Sequence, residues 1–323
     1  MGKKFTIGVL IGNVHTAHPK DLMRGIRAAA SGMDVNVIYF LGTQSVRFNQ
    51  KFALEDFDYQ YNTVYDYAKL AKVDVLIIAY GSLCIFQKNE DKQAFLDKFA
   101  GIPYVLLEDA TDDPRGIYVM VDNFGGMQKC VEHLIIEHHL KHLVYLGGPE
   151  DNQDAIERKA AFLNVMAEHH LPVTPEMMAV GDYSEFVDNL VEQLLKDNPD
   201  AEAIISANDE MTVACYRVCK AHGLRIGKDI LITGFDDVER ARYSNPPLTT
   251  VSQDAYKMGQ IAVEKAVDIC AGRPVESVRL DAELIIRESC GCKVTRRAKE
   301  KADEKTELLH IIDELRLFQH KSW

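Results

Sequence analysis

The run Ala203-Ile204-Ile205-Ser206-Ala207-Asn208-Asp209, followed by Asp229-Ile230-Leu231-Ile232-Thr233-Gly234-Phe235-Asp236-Asp237, decides the fold. Twice a short, fully apolar segment ends on an amide or a carboxylate. Apolar runs without alternation are how strands read when both faces of a parallel sheet are covered. Polar residues at their carboxyl ends stand where open α/β sheets hold ligands. The stretch closes on Asn245-Pro246-Pro247-Leu248-Thr249-Thr250-Val251-Ser252-Gln253-Asp254, a third strand-like run with a polar end.

The same alternation extends outward in both directions. Strand signals at 5–11, 34–41, 74–79, 104–107 and 117–121 alternate with helical periodicity at 19–26, 59–73, 89–99 and 124–137. A second block has strands at 143–146, 203–206 and 230–233, with helices at 151–170, 185–196 and 209–222. Repeated βα units predict parallel sheets covered by helices on both faces, and two blocks in series predict two similar lobes. A chain of 323 residues also exceeds the roughly 250 that one core sustains. A helix at 256–271 is followed by strand-like pieces at 277–280 and 283–286. Strands that arrive after two completed lobes imply that the chain crosses between them more than once.

Composition excludes several classes. With 47% hydrophobic and 27% charged residues the chain reads as globular. A formal net charge of −12 repels phosphate backbones, so no direct nucleic-acid contact by this chain is expected. The first apolar run, 5–11, reads as a strand and not as a secretory leader, and no stretch approaches the ~18 apolar residues of a membrane span. Seven scattered cysteines fit a reducing cytoplasm better than a disulfide frame. No nucleophile elbow, phosphate loop or dinucleotide fingerprint is present, so no catalytic residue and no cofactor is expected.

Metal binding is weighed on His133, His138, His139 and His142, and on Cys290-Gly291-Cys292. His138 and His142 are four apart, but a helix ends near His138, and a single residue between cysteines is tighter than the usual zinc spacing. No metal site is expected. Cys215 and Cys219, one turn apart, are expected to face the core.

From residue 293 the chain becomes highly charged, and Leu308, Ile311, Ile312, Leu315 and Phe318 form a narrow apolar stripe. Residues 293–323 are expected to be an amphipathic helix, linking or dimerising, with docking on its own domain as the alternative.

Six motifs in order resemble one family. They are Val121-Asp122-Asn123 with Gly125-Gly126 and Glu132-His133-Leu134; Glu157-Arg158 with Phe162; Gly181-Asp182-Tyr183; Ala207-Asn208-Asp209-Glu210-Met211; Gly234-Phe235-Asp236-Asp237; and Pro247-Leu248-Thr249-Thr250-Val251. Over residues 5 to about 290 the chain is similar to the ligand-binding core of the lactose/purine repressor family, a type 1 periplasmic-binding-protein fold. The resemblance implies two doubly wound parallel-sheet lobes joined by a three-crossing hinge, plus the C-terminal helix. The expected lobes are residues 5–123 with 252–282, and 124–251 with 283–292.

The resemblance also implies a small-molecule effector, sugar or nucleoside-like, held between the lobes of a homodimer. Arg158 matches a ligand-contacting arginine whose planar fork suits vicinal hydroxyls; a surface ion pair within 154–158 is the alternative. Asp236 matches a hydroxyl acceptor, though either Asp236 or Asp237 could cap a turn. Tyr183 matches an aromatic that stacks on ligand, and Gln253 a polar contact at the hinge. Asn208 is read as a ligand contact and Asp209 as the N-cap of the next helix. In the first lobe Asn13, His18, Tyr80, Ser82, Asp122 and Phe124 follow strands where this fold places contacts, but polar loop ends are normal there too.

Two departures shape the expected output. The family's helix-turn-helix is missing ahead of Phe5, and the charged C-terminal helix is not part of a repressor core. The expectation is a cytoplasmic sensor that is not itself an enzyme, relaying lobe closure to a histidine kinase or diguanylate cyclase. A DNA-binding repressor core and a transport solute-binding protein are the alternatives.

Overall fold

A computed structural model describes residues 4–43, 63–83 and 89–293. The expected helix at 293–323 and most of the connection 42–58 lie outside the described residues.

Two six-stranded sheets carry the structure. The first contains β1 (Phe5–Gly12), β2 (Val35–Gly42), β3 (Val75–Ala79), β4 (Tyr104–Leu107), β5 (Gly116–Val121) and β11 (Val278–Leu280), in the order β11-β5-β4-β3-β1-β2. The second contains β6 (Leu143–Gly147), β7 (Met178–Val180), β8 (Ala203–Ser206), β9 (Leu231–Asp236), β10 (Thr249–Ser252) and β12 (Glu283–Ile285), in the order β12-β10-β9-β8-β6-β7. Neighbours are parallel except β10 and β12, where Val251 faces Leu284 in antiparallel register. β3 and β8 are buried along their whole length, as strands covered on both faces must be. β2 at the sheet edge alternates between exposed and sheltered positions. This is the expected class, two α/β parallel-sheet lobes.

Helices fill the connections: α1 (Ala17–Ser31), α2 (Tyr67–Leu70), α3 (Tyr80–Leu83), α4 (Asn89–Asp97), α5 (Asn123–His138), α6 (Gln153–Glu168), α7 (Asp188–Asp197), α8 (Asp209–Ala221), α9 (Glu239–Tyr243) and α10 (Ala255–Cys270). Of the helix read over 59–73, residues 59–62 lie outside the described residues, 63–66 form a 3-10 turn that leads into α2, and α2 ends at Leu70. β7 was not anticipated; three residues at a sheet edge carry no periodic signal.

The chain passes between the sheets after Val121, after Ser252 and after Leu280. The crossings are bound to one another. Asp122 N–H donates to Leu280 O at 2.8 Å, and Lys129 Nζ donates to Ala282 O at 2.9 Å. On the outside, Arg279 of β11 reaches Glu157 of α6 at 3.0 Å. One apolar cluster runs continuously from Ile7 and Leu22 to Phe162 and Ile205, and a second surrounds Leu10, Phe40, Tyr65 and Phe95. Cys215 and Cys219 are buried in the first.

Candidate functional site

The carboxyl ends of the strands of both sheets bring a charged cluster together. His18 lies in the first turn of α1 and Glu108 directly follows β4. His18 Nε2 forms an ion pair with Glu108 Oε1. Ser82 N–H and Ser82 Oγ both donate to Glu108 Oε2 at 2.8 Å. Burial alone would lower the His18 pKa; the Glu108 carboxylate, by charge and hydrogen bond, outweighs it. Asp236 and Asp154 from the other lobe add to this, and the imidazole rises to about 9. Burial alone would raise Glu108; His18 and Ser82 hold it below its ordinary value.

The facing lobe presents Arg158, buried on α6 with 2% of its surface exposed. Its Nε donates to Asn123 Oδ1 at 2.8 Å and its Nη1 to Ala207 O at 2.7 Å. Its guanidinium carbon lies 3.8 Å from the centroid of the Phe235 ring, a cation–π arrangement. Asp236 Oδ1 approaches Nη1, and Asp154 Oδ2 approaches Nη2, each at 3.6 Å. Those approaches are ionic but longer than hydrogen bonds. Arg158 is therefore no surface ion pair.

Asp154 accepts from Asn123 Nδ2 at 2.8 Å. Burial pushes its carboxyl up to about 7, with Arg158 opposing and Glu108, Asp109 and Asp236 adding to the rise. Burial also raises Asp236, against the pull of Arg158, His18 and a hydrogen bond from Gln253 Nε2. Asp236 has φ 117°, a conformation that costs a non-glycine residue energy and occurs where surroundings impose it. Its neighbour Asp237 turns to Arg287 at 2.6 Å and Arg242 at 3.3 Å. Of the two aspartates, Asp236 faces the cluster.

His18, Ser82, Arg158, Tyr183, Asp236 and Gln253 thus come together, and Asn13, Tyr80, Asp122, Phe124 and Asn208 are engaged elsewhere. Asn208 is the N-cap of α8, accepting from Met211 N–H at 3.0 Å while its Nδ2 donates to Tyr183 O at 3.2 Å. Asp209 is not the cap; it is buried and accepts from Thr250 Oγ1 at 2.6 Å and Val238 N–H at 3.0 Å. The cap is Asn208 and not the expected Asp209. Asp122 caps α5, accepting from Gly125 N–H at 3.0 Å. Tyr80 is buried in the second apolar cluster, its ring centroid 6.3 Å from that of Phe95. Phe124 is half-buried against the first cluster. Asn13 serves as a turn, with φ 52° and its carbonyl accepting from Thr16 N–H at 3.0 Å. The Tyr183 hydroxyl lies 3.4 Å from Asn152 Oδ1, and its ring packs on Gly148.

Three members went unread in the sequence. Asn123 stands next to the residue chosen, Glu108 directly follows β4, and Asp154 lies four residues before Arg158. The last spacing puts two charges on one helix face, a signal that could have found it. Chemically the cluster offers charged donors and several acceptors. Ser82 Oγ donates to a carboxylate, not to the imidazole, so it is not paired as a nucleophile with a base.

Known proteins are similar to this chain in sequence and in fold. Residues 131–290 match the family of periplasmic binding protein-like domains. This chain is thus similar to that family over just under half of its length. It is similar to the HTH-type transcriptional regulator CelR of Thermobifida fusca, 30% identical over 216 residues, 64% of this chain and 62% of that protein. The chain thus spans less than two thirds of that relative. Among solved structures, a transcriptional regulator CelR–cellobiose complex superposes with a TM-score of 0.74 at 23% identity, covering 90% of this chain and 86% of the other. The lac repressor dimer bound to operator and an anti-inducer superposes with a TM-score of 0.75 at 23% identity, covering 90% and 82%. The fold of this chain is that of these two solved structures. No helix among the described residues is long and apolar enough to cross a membrane.

Proposed function

We propose that this chain is the effector-binding core of a transcriptional regulator and that it takes a small polyhydroxylated ligand, a sugar, between its lobes. The observation that carries this is the meeting of His18 and Glu108 from one lobe with Asp154, Arg158 and Asp236 from the other. Two carboxylates stand 3.6 Å from the Arg158 guanidinium. A hydroxyl there can accept from the arginine and donate to a carboxylate at once, which is the pairing a polyol supplies and an apolar ligand lacks. Sugar is favoured because a similar core is solved with cellobiose.

Transcription is preferred to a kinase or cyclase output because the CelR relative is an HTH-type regulator. In this reading the core works as a homodimer and acts in the cytoplasm. Its net charge of −12 leaves operator contact to a basic DNA-binding segment and not to the core itself. Ligand touches both lobes and so favours the closed arrangement by its differential affinity for it.

The test is a thermal-shift panel of mono- and disaccharides, polyols and nucleosides, followed by calorimetry on any hit. A ligand at a hundred times its Kd stabilises by about 2.7 kcal/mol. Arg158→Lys and Asp236→Asn are each expected to weaken binding tenfold or more, about 1.4 kcal/mol. A hit whose affinity both variants leave unchanged refutes the site. A panel in which only nucleosides bind overturns the sugar assignment.

A further inference from the structure

A second cluster lies at the opposite end of α5 from Asn123. His133 and His138 stand on the last turns of that helix, and Cys290 and Cys292 follow β12. One ligand atom from each lies within 4.8 Å of the others. The two Nε2 atoms are 3.3 Å apart, and Cys292 Sγ is 3.6 Å from His133 Nε2 and 3.4 Å from His138 Nε2. Around a tetrahedral zinc with Zn–N of about 2.05 Å and Zn–S of about 2.3 Å, the edges are about 3.3 Å between nitrogens and about 3.6 Å between nitrogen and sulfur. The three observed edges lie within about 0.2 Å of those values.

The supports are rigid. Gly291, with φ 86°, makes the reversal that turns two thiols one residue apart toward the same point, and its N–H donates to Glu288 O at 3.0 Å. Ser289 is buried; its N–H donates to Pro247 O at 2.9 Å and its Oγ to Ile232 O at 2.6 Å. Cys290 is buried as well, its thiol 3.3 Å from Arg287 O. The neighbouring His142 is not involved, since it turns to Asp200 at 2.8 Å. The alternative is a purely hydrogen-bonded cluster, with one imidazole donating to the other. That accounts for one contact but not for two thiols brought to the same point.

We propose that His133, His138, Cys290 and Cys292 bind one zinc ion. Two thiolates and two imidazoles are a borderline-soft set that selects zinc over calcium or magnesium. Four protein ligands leave no open position, so the site is structural and not catalytic. Binding converts both thiols to thiolates and releases two protons for each Zn2+ taken up. The ion ties the segment that follows β12 to α5, whose first residue holds Arg158 about 15–22 Å away along the helix. The inference is independent of the ligand reading. It departs from the sequence expectation, which judged the cysteine spacing too tight without the left-handed glycine between them.

The test is cobalt titration of the metal-free full chain under a phosphine reductant. One equivalent of Co2+ is expected to give intense tetrahedral d–d bands and a thiolate-to-cobalt charge-transfer band, both bleached by one equivalent of Zn2+. Zn2+ is expected to raise the Tm of the parent chain and to leave that of His133→Ala and of Cys292→Ser unchanged. The cobalt result needs no variant to fold. A weak octahedral spectrum without charge transfer overturns the proposal, as does a tetrahedral spectrum that persists in both variants.

Discussion

Asp154 and His18 lie on opposite lobes; burial raises the first and the Glu108 carboxylate raises the second against burial, so both lose stability as pH rises, in different windows. The Asp154 carboxyl is raised to about 7, so the folded chain holds a proton there that the unfolded chain releases near pH 4. Ionising it costs stability as pH rises through that window. Asp154→Asn keeps an acceptor for Asn123 and removes the cost. The variant is expected to match the parent near pH 4 and to exceed its stability at pH 8 by on the order of 1–2 kcal/mol, measured by urea denaturation across pH. A gain that does not grow with pH would contradict this. His18 runs in another window. Its pKa is raised from 6.5 to about 9, so its stabilisation is complete below pH 6.5 and is lost as pH rises through 9. Between pH 7 and pH 9.5 the parent Tm is expected to fall more steeply than that of His18→Gln, which calorimetry at matched ionic strength reads directly. At this scale the sequence was legible in residue type but not in direction. Asn208 and Asp209 are both good caps. Which one caps was settled by the extended backbone of Asn208, φ −150° and ψ 168°, and by the position of Thr250 across the sheet from Asp209.

Among the elements, α1 and α10 pack backbone to backbone, and glycine permits it. A Cβ at Gly25 would collide with the Tyr256 carbonyl, and one at Gly259 with the backbone of Leu22 and Ile26. Backbone atoms cannot rotate away as a side-chain tip can. Gly25→Ala is therefore expected to destabilise by about 1–3 kcal/mol despite the better helix propensity of alanine. Chemical denaturation checks the sign; an alanine that stabilises would show that the helices separate freely. Read locally, a glycine in a helix interior is only a mild weakness. Its role at a crossing depends on a partner more than two hundred residues away in sequence. The long helices and buried strands were legible because their periods are local. β7 was not, having too few residues to show a period.

The molecule as a whole is two sheets tied by three crossings, with the candidate ligand cluster where their strand ends meet and the candidate zinc site at the far end of α5. If lobe closure transmits ligand binding, α5 is the element that touches both, through Asn123 at one end and His133 and His138 at the other. What the sequence by itself determined is the class. Alternating apolar runs and amphipathic helices allow only helix-covered parallel sheets, and polar residues at the strand ends mark the side where a ligand sits. Those signals lie within ten or fifteen residues of one another, where backbone geometry alone sets which side chains share a face. Tertiary structure decided which polar groups meet. It joined Glu108 to His18, set Asp154 and Asp236 on either side of Arg158, and brought Cys292 to His133 across 159 positions of chain. The reason is that charge, burial and coordination act through space, and spacing along a chain carries no record of which distant strand end a residue will face.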